Sequence, residues 1–275
     1  LAMCLAPVMG NAAEIDVLWY GDNYNSAITT LAAGAGSWDP AVNGSLTWNL
    51  TFWNAGDPTP DFTKYDVLAI GCSATFGSGL DPARLLAAKA AIEAARGNRT
   101  FISGQDADWH VQYGGLDAAE GFIYNAVNWA ASGTGLGIVA LADGWSDSGS
   151  QWWLNDNSFL KAELDGYVQY FQEENVIIPS GMEDYPVNEG LTTDSLSNWG
   201  TSAHAGFLKT IPGYTSINDA GTTGLTVTIV TEGAEGGDTG GGDTGGDTEV
   251  PEPATMILLS LGLIGIVGTK RSLKK

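Results

Sequence analysis

The stretch from Tyr65 to Gly104 limits the architecture of this chain more than any other. Tyr65-Asp66-Val67-Leu68-Ala69-Ile70-Gly71-Cys72 is a short apolar run that reads as a strand. Asp81 follows as a helix N-cap, and Pro82 suits the first helical position, where no N–H is needed. From Pro82 to Ala95 the sequence PARLLAAKAAIEAA is rich in Ala and Leu, and Arg96-Gly97 offers a C-cap. Arg99-Thr100-Phe101-Ile102-Ser103-Gly104 is a second strand. Strand, helix and strand with short joints form a βαβ unit, which demands a parallel pair and a right-handed crossover.

The same alternation extends in both directions. Ile15 to Tyr20 reads as a buried strand running into a loop, Ser26 to Ala33 as a short helix capped near Asn25 or Ser26, and Leu46 to Trp53 as a strand. Asp117 to Ala131 has helical period, with Phe122, Ala126 and Trp129 on one side; Gly133-Thr134-Gly135 stops it. Leu136 to Leu141 predicts a strand, Phe159 to Tyr170 a weak helix, Asn175 to Ile178 a short strand and Leu225 to Val230 a final one. The expected fold is α/β, with a doubly wound, mostly parallel sheet spanning residues 14–231.

Charge narrows the partners. The chain carries 11 Lys and Arg against 32 Asp and Glu, a formal net charge of −21. Such a surface repels phosphate backbones, so no nucleic acid is expected as a partner. Hydrophobic residues make up 44% of the chain, enough to fill a core. Residues 232–250 repeat Gly-Gly-Asp-Thr and predict a disordered acidic linker, with a reach of roughly 23 Å by the Gly-rich estimate.

Both ends read as export signals. Residues 1–13 pair an apolar run with small residues before Glu14, as in the remnant of a secretory signal peptide. With Cys4 removed at such a cleavage, Cys72 would remain alone, read as a buried small hydrophobe. At the other end, Pro251-Glu252-Pro253 precedes an uncharged run, 254–269, and then Lys270-Arg271-Ser272-Leu273-Lys274-Lys275. The run predicts a single hydrophobic helix of about 24 Å, marginal for a membrane span, with its cations on the cytoplasmic side. Triplet, helix and basic cluster together closely resemble the PEP-CTERM sorting signal of Gram-negative, exopolysaccharide-producing bacteria. That resemblance implies export through the inner membrane by the secretion machinery and recognition by an exosortase, with cleavage near the triplet. It further implies delivery to the envelope, outer surface or extracellular matrix. An ordinary tail anchor is the alternative.

Ligands of an open α/β sheet gather outside the carboxyl ends of its strands. The richest of those ends is Ser103-Gly104-Gln105-Asp106-Ala107-Asp108-Trp109-His110. Strand, Gly and polar residues in this order resemble the nucleophile elbow of class I glutamine-amidotransferase-like domains, which implies a flavodoxin-like fold. The chain departs from that family at the nucleophile, where Gln105 or Asp106 stands and no Cys. Asp106, Asp108 and His110 alternate, so an extended backbone would aim all three one way, as a divalent metal or an acid–base pair requires. His204 could approach from a later loop. These four are the candidate catalytic residues, and the first three the candidate metal ligands; local capping and hydrogen bonding is the structural alternative.

Trp48, Trp53, Trp129 and Trp199 sit in periodic segments and are expected in the core. Trp109, Trp145 and Trp152 fall in polar loops, where indoles can stack on sugar rings, and are the candidate ligand-binding residues. Two functions stay open: a non-catalytic, glycan-binding envelope component, or an exported hydrolase with an Asp/His site. No cofactor is expected.

Overall fold

A computed structural model of the chain describes residues 14–21, 24–38, 46–72, 81–114, 117–141, 151–197, 199 and 203–232. The expected signal remnant 1–13, residues 233–250 of the expected linker, the sorting tail with the helix expected over 254–269, and Trp145 lie outside the described residues. Among the described residues no helix is long and apolar enough to cross a membrane.

The elements in chain order are β1 (Glu14–Tyr20), α1 (Asn25–Gly34), β2 (Thr47–Trp53), β3 (Val67–Ile70), α2 (Ala83–Ala87), α3 (Lys89–Ala95), β4 (Arg96–Ser103), α4 (Ala107–Gly114), α5 (Asp117–Ala131) and β5 (Leu136–Leu141). They continue with α6 (Lys161–Leu164), β6 (Val168–Glu174), β7 (Val176–Ile177), α7 (Thr193–Ser197), β8 (Ala203–Phe207), β9 (Thr215–Ala220) and β10 (Thr226–Thr231). One sheet holds the strands in the order β2-β1-β3-β5-β4-β10-β8-β6, with β9 beside β10 and β7 beside β9. From β2 to β4 every neighbouring pair is parallel. At β10 the sheet turns antiparallel and stays so. The α/β class and the large sheet agree with the sequence. A flavodoxin-like order would be 2-1-3-4-5; here β5 lies between β3 and β4.

Strand parity sorts the core into two layers. Ile15, Val17 and Trp19 of β1 pack with Ile28 of α1, Val111 of α4 and Phe122 of α5. Leu18 and Tyr20 point the other way, to Leu85 of α2, Ile92 of α3 and Leu164 of α6. The four residues of β3 divide alike and are wholly buried. A strand buried on both faces must be apolar throughout, which is why Val67-Leu68-Ala69-Ile70 shows no alternation. Each such Val, Leu or Ile contributes about 1.5–3 kcal/mol by leaving water.

Local signals fared unevenly. Asp81 accepts the Ala83 N–H at 3.0 Å as a cap would, but the helix opens one residue later than expected, with Pro82 at the N-cap and Ala83 first. The long helix breaks once, at Ala88, whose backbone (φ −89°, ψ 3°) leaves the helical region. Gly97 is no C-cap, since α3 passes into β4 at Arg96. A Cβ at Gly97 would fall 1.5 Å from the Thr134 carbonyl oxygen, so this glycine lets two backbones touch. The helix expected over Phe159–Tyr170 is confined to α6; Gly166 at φ +82° ends it, and Val168 starts β6, paired to β8. Arg96 grips Glu163 of α6 through two hydrogen bonds, of 2.6 and 2.9 Å, and the Tyr214 hydroxyl donates to the same carboxylate.

Gly104 makes a second close approach at the other end of β4, where a Cβ would lie 1.8 Å from the Ala205 carbonyl oxygen. Gly97→Ala and Gly104→Ala should each lower stability by about 1–3 kcal/mol, read as a fall in the urea midpoint at constant slope. A loss under about 0.5 kcal/mol for both would contradict these contacts.

Candidate functional site at the carboxyl edge of the sheet

Backbone bonds fix the exit of β4. Gly104 donates to the Val227 carbonyl at 2.8 Å, and its own carbonyl accepts the His204 N–H at 2.9 Å. Ser103 Oγ accepts the Gln105 N–H at 3.1 Å and lies 3.0 Å from Thr228 Oγ1. The chain then enters α4: the Asp106 carbonyl accepts from the N–H groups of Trp109 and His110 at 3.0 and 3.3 Å. This segment is helical, not extended, which corrects the expected alternation of Asp106, Asp108 and His110. At 100° per residue Asp106 and His110 share a face, whereas Asp108 lies about 200° round from Asp106.

Two of the candidate residues converge on a third. Asp106 Oδ1 is 3.2 Å from His110 Nε2, and Asp106 Oδ2 is 3.5 Å from His204 Nε2. His204 comes from β8, so the carboxylate ties the first turn of α4 to the antiparallel half of the sheet. All three are buried, Asp106 at 7% exposure and each histidine at 2%. Burial pushes the Asp106 carboxyl up, but the adjacent imidazoles of His110 and His204 outweigh it and hold the group below the usual carboxylate range, although Oδ1 meets no donor in hydrogen-bond geometry among the described residues. Both imidazoles turn Nε2 to the carboxylate, so each can donate from that nitrogen. One imidazolium would leave the cluster neutral.

Asp108 serves a different neighbour. Its Oδ1 accepts the Cys72 N–H at 3.2 Å, and its Oδ2 lies 2.6 Å from where a Gly71 Cβ would stand. Asp108 thus fastens the end of β3 to α4, and a side chain at Gly71 would push it off. Cys72 is 1% exposed and packs in the core, as expected. Among the described residues no group of three or more His, Cys, Asp or Glu side chains is arranged to hold a metal. Asp106, Asp108 and His110 are accordingly not a ligand set in this geometry.

Trp48, Trp53, Trp129 and Trp199 are buried, as their periodic settings indicate. Trp152 is buried too, against Trp153 and Phe159 at ring distances of 6.3 and 5.7 Å, so its ring offers no open face to a ligand. Its loop folds back because three aromatic side chains bury together there. Trp109 is half-buried, edge-on to His110 at 4.9 Å and tilted against Tyr113 at 5.1 Å. Tyr113 is 58% exposed.

Two further residues adjoin the cluster, Gln105 along the chain and Trp199 through its ring. Gln105 is fully buried, and neither atom of its carboxamide has a hydrogen-bond partner among the described residues. Trp199 tilts against His110 at 5.4 Å, and its indole N–H likewise lacks a partner there. The position of Gln105 directly after Gly104 is a signal; nothing in the sequence pairs Trp199 with His110.

Asp106→Asn should lower stability at pH 7 by about 1–3 kcal/mol. The folded carboxyl titrates below its unfolded value of about 3.9, so its contribution is complete above that pH and disappears as pH falls through the folded value. Urea unfolding from pH 2 to 7 should therefore show wild type and variant converging in acid. Parallel profiles would contradict this assignment.

Residues 249–272 match the PEP-CTERM protein-sorting motif. No curated protein and no solved structure matches the chain.

Proposed function

We propose that the chain is an exported envelope protein, sorted by an exosortase through residues 251–275, with a non-catalytic, glycan-binding globular domain. The observation that carries the sorting is the motif match at residues 249–272, which spans Pro251-Glu252-Pro253, the uncharged run and Lys270-Arg271. An apolar segment enters the bilayer while its cations stay at the cytoplasmic face. The triplet is then presented on the outer side, where a membrane exosortase acts. The half-buried Trp109 beside the exposed Tyr113 supports stacking on sugar rings, with Trp145 as a further candidate. The burial of Asp106, His110 and His204 supports a holding role for that cluster.

A second reading is a hydrolase at this edge of the sheet, and the convergence of His110 and His204 on Asp106 favours it. The same observation, together with the position after Gly104 at the end of a parallel strand, supports kinship with degenerate amidotransferase-like domains. In that reading Asp106 sets the orientation and tautomer of the imidazoles and one of them moves the proton.

Fractionation and C-terminal mass analysis of wild type and a Pro251→Ala/Pro253→Ala variant test the sorting. Wild type should reach the outer envelope or medium with a new C-terminus near Pro251, and the variant should stay in the inner membrane with its tail intact. Identical location and identical C-termini would refute the proposal.

A further inference from the structure

A sheet edge is a row of unmatched backbone donors and acceptors, and native chains blunt it with brevity, charge, proline, a bulge or a cover. The two ends of this sheet are treated differently. At one end β6 carries Glu174, and its register on β8 is broken between Tyr170 and Glu174. At the other, β2 pairs with β1 over its whole length without a shift, and among the described residues no strand lies on its outer side. Thr47-Trp48-Asn49-Leu50-Thr51-Phe52-Trp53 holds no charge and no proline, and no charged residue stands between Asp39 and Asp57. In a chain of net charge −21, a molecule of the same sign can approach such a stretch.

The two faces of β2 select the partner. Trp48, Leu50 and Phe52 turn to the layer of Ile28 and Phe122, yet Leu50 and Phe52 stay half-buried. Thr47, Asn49 and Thr51 turn the other way and are exposed. A two-fold axis through Leu50 sets the strand antiparallel to its own copy, with Leu50 opposite Leu50, Trp48 opposite Phe52 and Asn49 opposite Thr51. Apolar residues then meet on one face and an amide meets a hydroxyl on the other, so the edge complements itself. Asp16 of β1 accepts from the Asn49 amide at 2.6 Å. It would stand three strand spacings, about 14 Å, from its mate, beyond a Debye length of about 8 Å.

We propose that β2 is the seam of a homodimer, pairing antiparallel with β2 of a second copy so that two sheets become one. β10, the last strand before residues 232–250, lies five strand spacings from the seam, about 24 Å. The Asp106 cluster, beside β4 and β8, is likewise clear of it.

Sedimentation of the full chain across a concentration series tests this, in a mild detergent that covers the apolar run 254–269. Wild type should pass from monomer to dimer, and added NaCl should strengthen the pairing by screening two negative bodies. Asn49→Lys/Thr51→Lys sets lysine opposite lysine and should weaken the dimer about tenfold or more. Asn49→Lys/Thr51→Glu sets lysine opposite glutamate only in the antiparallel register and should pair at least as well as wild type. Both positions are exposed, so thermal midpoints should stay near wild type. Should a variant fail to fold, hydrogen exchange of wild type decides alone: amides of β2 should gain protection as concentration rises.

Wild type that stays monomeric overturns the seam, as does β2 protection indifferent to concentration. Association equal in wild type and the Lys/Lys variant places the contact elsewhere and overturns it too. A Lys/Glu variant as weak as Lys/Lys removes the antiparallel pairing, and a dimer dissolved by salt contradicts an uncharged seam.

Discussion

A single buried carboxylate holds the candidate site together. Asp106 stands at the start of α4, yet its two oxygens face His110 from the same helix and His204 from β8. An isolated charge with 7% exposure would be costly, and the two imidazoles are what make it tolerable. The consequence is mechanical as well as electrostatic. Helix α4 leaves the parallel half of the sheet, β8 belongs to the antiparallel half, and Asp106 joins them at the point where the two halves meet.

That meeting point is built by β4. Its one flank is β5, parallel, and its other is β10, antiparallel. Glycine at each end lets the strand lie closer to its neighbours than any side chain would allow, Gly97 against Thr134 and Gly104 against Ala205. The second of these approaches brings His204 to Asp106, because the His204 N–H bonds to the Gly104 carbonyl. Packing thus precedes chemistry here: a missing Cβ permits a backbone bond, and the backbone bond delivers an imidazole. Asp108 does comparable work on the other side by binding the Cys72 N–H at the end of β3.

The parallel half of the fold was legible because its signals are local. Apolar runs buried on both faces, the Asp81 cap and the stop after Ala131 each act within a few residues, and β1, β3, α5 and β5 lie where those signals put them. The antiparallel half was legible only at β7 and β10, which overlap the strands expected over Asn175–Ile178 and Leu225–Val230. Ala-His-Ala-Gly-Phe in β8 and Thr-Ser-Ile-Asn-Asp-Ala in β9 have small or polar side chains apart from Phe207 and Ile217, and become strands through pairing with β6, β10 and β7. Non-local pairing of that kind overrides propensity. In the site, Asp106, His110 and His204 could be named from residue type and position. The error over Asp108 came from taking a helical segment as extended, which turns a shared face into opposite ones. Trp152 deceived for a related reason, since a polar loop can still close over its aromatic residues.

If Asp106 is shared as described, both histidines must carry a proton on Nε2. Long-range proton–nitrogen correlation spectra of the imidazoles at neutral pH read this directly. This account predicts protonated Nε2 on His110 and on His204, with both signals changing when Asp106 is replaced. A bare Nε2 on either ring, or a His204 spectrum indifferent to residue 106, would contradict it.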